Sequence, residues 1–244
     1  MKNSFWIGLL CFLIISPFLL QAQHTAKAHT KTLILMGSRF EITAISPSDS
    51  IAWQAINAAE TEIRRIEKLI SSWDPNSQTS QINRAAGISP VKVDEELFQL
   101  IRRSQKISQL SGGAFDISFA SINKIWRFDG SMEMLPDSSE VAQSVANINW
   151  RNIKLQPDSL QVFLGQEGMR IGFGGIGKGY AANRAKAIML RMGITSGLVN
   201  AGGDLIAWGQ RADNSPWSIG IAEPQNPAAI FARLEINNQA VVTS

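Results

Sequence analysis

Apolar and polar positions alternate from Thr32 through Met36, Gly37, Ser38 and Arg39 to Ile45, the period of a half-buried strand. The period then changes. After Pro47, Ser48 and Asp49, which offer a helix start, Ala52, Ile56, Ala59, Ile63, Ile66 and Ile70 follow at alternating steps of four and three. That spacing predicts an amphipathic core helix with Glu62, Arg65 and Lys68 on its other side. Ser71, Ser72, Trp73, Asp74 and Pro75 break it into a polar loop. A second amphipathic helix runs from a cap at Asp94 through Leu97, Leu100, Ile101, Ser104 and Ile107, and Ser111, Gly112 and Gly113 stop it. A third, short helix opens at Asp137 with Glu140 three residues on, a capping-box pattern.

From Asn152 the texture is different. Short alternating runs are punctuated by Pro157-Asp158, Glu167-Gly168, Gly202-Gly203, Asn214 to Pro216 and Asn237-Asn238, which predicts strands joined by turns. One helix, about Tyr180 to Met192 and ended by Gly193, interrupts them. Helices and antiparallel strands in separate blocks predict an α+β fold, a mixed, mainly antiparallel sheet with packed helices. No repeat, low-complexity tract or linker divides the chain. With 244 residues, 45% of them hydrophobic, it can bury a core and sits near the upper limit for one domain.

Lys2 precedes an apolar run from Phe5 to Leu20, followed by Gln21, Ala22 and Gln23, the layout of a secretory signal. A membrane anchor is the alternative, but the run falls short of the ~20 residues that span a bilayer, and no basic stop-transfer cluster follows. The expected organisation is a signal over 1–23, a polar leader over 24–31 carrying His24 and His29 at the surface, and one domain over 32–244. The expected location is exported, periplasmic or in the cell envelope. Cys11 lies inside the apolar run, so a processed chain would carry no cysteine, which excludes a disulfide framework, a thiolate metal site and a cysteine nucleophile. The net charge of +3 is mild and its basic residues are scattered, which argues against nucleic acid as a partner.

The densest chemical signal is Gly172-Phe-Gly-Gly-Ile-Gly-Lys-Gly-Tyr180. Closely spaced glycines free the backbone to approach a ligand, a lysine adds charge, and the following helix offers its positive end, so phosphate contact is a fair physical reading. The plain alternative is a glycine-rich turn before a helix. Gly172, Gly174 and Gly177 satisfy the dinucleotide-fold spacing, but Gly193 to Ala201 holds no acidic residue for a ribose. Gly172, Gly177 and Lys178 satisfy the P-loop spacing, but the next position is Gly179 where Ser or Thr must bind magnesium. An exported protein would also meet little ATP.

A resemblance accounts for the loop better. It resembles the Gly-Gly-Ile-Ala-Lys-Gly-Tyr-Ala segment of the ApbE family, the FAD:protein FMN transferases, and other segments match in the same order. Met36-Gly37-Ser38 resembles the family's early Met-Gly-Thr. Ser71-Ser72-Trp73 with Ile82-Asn83 resembles its Ser-x-Tyr/Trp loop ending in Phe-Asn. Ser111-Gly-Gly-Ala-Phe-Asp116 and Val199-Asn-Ala-Gly-Gly-Asp204 resemble its Gly-Gly-Ala-Phe-Asp and Val-Asn-x-Gly-Gly-Asp. Trp217 to Ala222 with Pro224 resembles its Trp-x-Ile-Gly-Ile strand, and Val242-Thr243-Ser244 its Ala-Thr-Ser-Gly.

The resemblance implies a site and a reaction. The family binds FAD with magnesium and moves the FMN half onto a threonine hydroxyl of a partner protein, releasing AMP. Met36 would contact the flavin side, and Trp73 would stack on a ring of FAD, a buried core tryptophan being the alternative. Ala114, Phe115 and Asp116 would line the FAD site. Asp116 would accept hydrogen bonds there, or merely cap a helix that includes Ile122 and Trp126. Lys178 would reach FAD, and Gly175 would lend its carbonyl to Mg2+. Asn200 and Asp204 would support the site or only serve their turn. The implied acceptor is a membrane redox subunit, with loose membrane association left open.

The sequence departs from the family in two places. Many members carry Asp-Leu before Gly-Gly-Ile, where Gly172 and Phe173 stand here, so one FAD contact would be absent or supplied elsewhere. The family also continues to a His segment and an Asp-containing stretch, so the catalytic residues are expected beyond Ser244 and the chain is expected to be a fragment. A non-catalytic exported FAD-binding protein and an unrelated periplasmic α+β domain are the alternative readings.

Overall fold

The helix with the four-and-three spacing is the longest element, 22 residues from Asp49 to Ile70, and much of the fold is arranged on its apolar face. The structure, a computed structural model, describes residues 25–122, 125, 134–223 and 225–243. The segment read as a signal, Trp126, Pro224 and Ser244 lie outside these. Strands β1 (Lys27–Leu35) and β2 (Ser38–Ser46) precede helix α1 (Asp49–Ile70). Helix α2 (Gln78–Arg84), strand β3 (Val91–Lys92) and helices α3 (Glu95–Leu110) and α4 (Ser138–Ser144) follow. Next come β4 (Ile153–Gln156), β5 (Gln161–Leu164) and helix α5 (Gly177–Arg191). The chain continues with β6 (Ser196–Ala201), β7 (Asp204–Trp208), β8 (Trp217–Glu223), β9 (Asn226–Ile236) and β10 (Ala240–Val241).

The main sheet has five strands in the order β1-β2-β6-β7-β10, a smaller one has the order β3-β5-β4, and β8 pairs with β9. Every described pairing is antiparallel, so the expected α+β class with antiparallel sheets is the observed one. Helix α1 lies on β1 and β2, α5 lies on β6 and β7, and the two helices pack against each other. All six residues of the predicted stripe, Ala52, Ile56, Ala59, Ile63, Ile66 and Ile70, are buried. Each buried isoleucine contributes about 1.5–3 kcal/mol relative to an exposed one. Buried alanines on both helices (Ala52, Ala55 and Ala59; Ala181, Ala182 and Ala185) are small enough for two backbones to approach closely. The hairpin β8–β9 is tied to the sheet by Trp217, whose Nε1 donates to the Trp208 carbonyl at 3.1 Å.

Caps follow the sequence signals. The Ser48 hydroxyl accepts from the Ile51 amide, and Asp137 and Glu140 form the expected capping box at α4. Asp94 stands at the N-cap of α3, but its side chain makes no capping bond. Several expectations need correction. The alternation from Thr32 to Ile45 is not one strand but a hairpin folded at Met36-Gly37, because alternation reads the same through a two-residue turn that keeps the register. The first strand begins at Lys27, inside the stretch read as a leader. His29 is buried there, its Nε2 2.9 Å from Asp49 Oδ1, and is not a surface residue. Helix α2 carries too few apolar residues to show a period, and α5 starts three residues before Tyr180, which brings Lys178 into its first turn.

Glu62 is also buried, against expectation. Its carboxylate accepts from Arg65 on its own helix and from Arg184 Nε on α5 at 2.9 Å. Arg65 reaches on to Glu96 of α3, which also accepts from the Tyr180 hydroxyl at 2.6 Å. Three helices are thereby joined through charge. The Arg65 hydrogen bond pulls the Glu62 carboxyl down to about 2 from its ordinary 4.5, against the opposing effect of burial. Burial pushes Glu96 up, but the bonds from Arg65 and Tyr180 outweigh it and leave it below its ordinary range. Burial and the Glu96 carboxylate push the Tyr180 hydroxyl up to about 12. The stabilisation held in Glu62 is therefore complete above about pH 4.5 and lost as the pH falls toward 2, because the unfolded chain takes up the proton first. Melting temperature measured across that window should fall more steeply for the parent than for Glu62→Gln, which should also melt lower at pH 7.

Candidate functional site

The residues just before the turn into α5 belong to no strand, and the backbone groups of Arg170 and Ile171 are paired by side chains from elsewhere. Ser121 Oγ donates to the Arg170 carbonyl at 2.9 Å and accepts from the Arg170 amide at 2.8 Å. The Asn83 side-chain amide does the same for Ile171, donating to its carbonyl at 3.0 Å and accepting from its N–H at 2.8 Å. The Gly172 amide donates to the Ile117 carbonyl at 2.9 Å. The Phe173 carbonyl then receives the amides of Ile176 and Gly177 at 3.1 and 2.6 Å, closing the turn that opens α5. A Cβ on Gly177 would stand 2.7 Å from Ile70 Cδ1, so a side chain there would require the end of Ile70 to shift. The glycine loop is thus pressed onto the C-terminal end of α1.

Two clefts open beside this loop. The first, about 460 Å³, lies between the Met36-Gly37-Ser38 turn, the end of α1 with Glu67 and Ile70, the Ser71-Ser72-Trp73 loop and Lys178. The second, about 500 Å³, is walled by Gly113 to Ile117, Phe119, Ile148 and the loop from Gly172 to Gly175. Ser72, Trp73, Phe173 and Gly174 border both. Volumes of this order are those of small-molecule sites.

Each site residue read from the sequence lands here. Met36, Trp73 and Lys178 line the first cleft; Trp73, Ala114, Phe115, Asp116 and Gly175 line the second. Trp73 is 81% exposed, which answers the core alternative. Of the two roles open to Asp116 the structure shows the cap, and its carboxylate is committed to the protein. Oδ1 accepts from the Ser118 amide and hydroxyl at 2.7 Å, capping the 3-10 turn Ile117–Ser121, and Oδ2 accepts from the Trp150 amide at 2.9 Å. Its part in the cleft is to fix the wall. Among the described residues, the Lys178 ammonium has no carboxylate partner. It stands in the positive first turn of α5, close to the Gly202 turn. Asn200 serves its turn, accepting from the Gly203 amide at 2.9 Å. Asp204 borders a smaller recess of about 210 Å³ with Arg103, Tyr180 and Asn183.

Sequence reading missed Glu67, Phe119 and the buried ring of Phe173. Glu67 projects into the first cleft and its Oε1 accepts from the Met36 amide at 2.9 Å. Its place among the helix positions carries no signal of that. Phe119, 60% exposed in the wall of the second cleft, could have been flagged only by its neighbourhood to Asp116.

Comparison with known proteins agrees with the motif order. The model of the ApbE family matches residues 36–244. A "FAD:protein FMN transferase" of Klebsiella pneumoniae (strain 342) is 30% identical over 219 residues, which is 89% of this chain and 66% of that protein. The chain therefore spans just under two thirds of that relative's length. A "FAD:protein FMN transferase" of Treponema pallidum (strain Nichols) is 25% identical, covering 100% of this chain and 72% of its own. Among solved structures, the ApbE protein of Thermotoga maritima superposes with a TM-score of 0.79 at 27% identity, over 89% of this chain and 70% of that one. The Pseudomonas stutzeri flavinyl transferase ApbE in its apo form superposes with a TM-score of 0.71 at 23% identity, over 87% and 67%, a likeness of fold.

Asn83→Ala removes both partners of the Ile171 backbone at once. It should cost about 1–3 kcal/mol in urea unfolding, with Asn83→Asp falling between, since a carboxylate accepts but does not donate.

Proposed function

The chain belongs to the ApbE family, and from that premise we propose that it takes part in moving the FMN half of FAD onto a threonine hydroxyl of an acceptor protein, with release of AMP. The observation that carries this reading is the meeting of Lys178, which has no carboxylate partner among the described residues, a glycine loop and an exposed tryptophan around adjoining clefts. A dinucleotide needs a place for a charged diphosphate and flat surfaces for its rings. Lys178 and the amides at the start of α5 supply the first. Trp73 supplies a face for the flavin, and the Ala114-Phe115 wall a seat for the other half.

In the reaction the threonine oxygen attacks the phosphorus of the FMN half, and the bond to the oxygen shared with AMP breaks. AMP leaves with that oxygen, and the hydroxyl proton passes to a base or to water. Charge gathers on the phosphoryl oxygens during the exchange, and Lys178 is placed to offset it. Magnesium would neutralise the same oxygens when bound. The residues at hand supply one ligand of the right kind for it, the Gly175 carbonyl, and among the described residues no group of three His, Cys, Asp or Glu side chains surrounds it. The fit is therefore incomplete among the described residues.

The N-terminal apolar run supports action outside the cytoplasmic membrane, on an acceptor such as a membrane redox subunit. Among the described residues no helix is long and apolar enough to cross a membrane.

The test is incubation with FAD, Mg2+ and a threonine-bearing acceptor, followed by a search for flavin fluorescence on the denatured acceptor. Lys178→Met should lower labelling about a hundredfold. Trp73→Ala should weaken FAD binding about tenfold while leaving the melting temperature of the free protein within about 1 °C, because the ring is exposed. FAD retained without transfer would identify a binding protein; no FAD-dependent thermal shift in the parent would end the flavin reading.

A further inference from the structure

The turn at the tip of the first hairpin has a backbone that its sequence does not favour. Leu35 pairs with Ser38, so Met36 and Gly37 form a two-residue loop, and both have positive φ, 50° and 69°. Such loops call for Asn-Gly, Asp-Gly or Gly-Gly, because a residue with a long side chain seldom rests in the left-handed region. Gly37 fits this requirement. Met36 does not, and another contact must hold it there.

That contact comes from α1. The Met36 amide donates to Glu67 Oε1 at 2.9 Å, one turn before the helix ends at Ile70. The Met36 side chain packs at the other end of the same arrangement, its Cε 3.5 Å from the place a Cβ on Gly177 would take. One residue thus ties the hairpin to the end of α1 and the start of α5, and Met36, Gly37, Glu67 and Lys178 line one cleft.

We propose that Glu67 is a positioning residue: its carboxylate pins the Met36-Gly37 turn in the left-handed backbone that forms one wall of the first cleft. Without it the turn relaxes and the wall moves away from Lys178. The effect on ligand binding rests on the flavin reading above; the pin itself does not. The role requires an acceptor oxygen, not a negative charge, so glutamine should fill it and alanine should not.

The experiment follows the Met36 amide by NMR hydrogen exchange and measures FAD affinity in the same variants of the full chain. Glu67→Ala should speed Met36 exchange at least tenfold and weaken FAD binding about tenfold, equivalent to about 1.4 kcal/mol. Glu67→Gln should restore both to within about threefold. Met36→Gly removes the need for the pin, so adding Glu67→Ala in that background should change FAD affinity less than threefold. Should the alanine variant not fold, Glu67→Asp, which withdraws the oxygen by one methylene, takes its place with the same expected direction. Unchanged Met36 exchange in the alanine or aspartate variant overturns the proposal, and so does a glutamine variant as damaged as the alanine one. A parent chain that protects the Met36 amide yet binds no FAD refutes the flavin reading and leaves the pin standing.

Discussion

The segment from Arg170 to Gly172 has no neighbouring strand, and a buried peptide group left without a partner costs about 1–3 kcal/mol. Ser121, Asn83 and the Ile117 carbonyl pair those groups in place of a strand. This lacing fixes where the glycine loop begins, and so where α5 starts and where Lys178 stands. Pairing through side chains leaves the loop rigid on one side and open on the other.

The loop is held just as firmly at its far end. Gly177 lies against the end of the Ile70 side chain, and the buried alanines of α1 and α5 are small enough to keep the two helices close. The Glu62, Arg65, Glu96, Arg184 and Tyr180 network joins α1, α3 and α5. Its arginines are part exposed, so its contribution to stability is discounted by solvent, and its clearer effect is to set the relative positions of the helices. The apolar face of α1 holds it on the sheet, its charged face holds α3 and α5, and its last turn lines the first cleft.

Site chemistry was legible where the sequence crowds unusual residues together. The glycines around Lys178, the Gly-Gly-Ala-Phe-Asp run and the polar loop around Trp73 all marked surfaces that the structure brings to adjoining clefts. Asp116 shows the limit of this kind of reading. A carboxylate in a conspicuous motif looked free to meet a ligand, and three protein donors already use it. Glu62 shows the converse, since a charge at an outward-looking helix position is buried because Arg184 arrives from a helix 122 residues away.

The periodic elements were determined by the sequence alone: the stripe of α1, the boxed start of α4 and the antiparallel character of the later strands follow from local spacing and capping. So was the composition of the glycine loop, whereas the exposure of Trp73 was one of two readings that the structure decided. The tertiary structure decided the partners. Asn83 meets Ile171 across 88 residues and Glu67 meets Met36 across 31, and nothing near any of the four names its partner. It also decided that the alternation from Thr32 to Ile45 folds back at Met36, since a two-residue turn preserves the period of the strands it joins. Local periodicity records which face of an element is buried, whereas the choice of what covers that face depends on how the whole chain closes on itself.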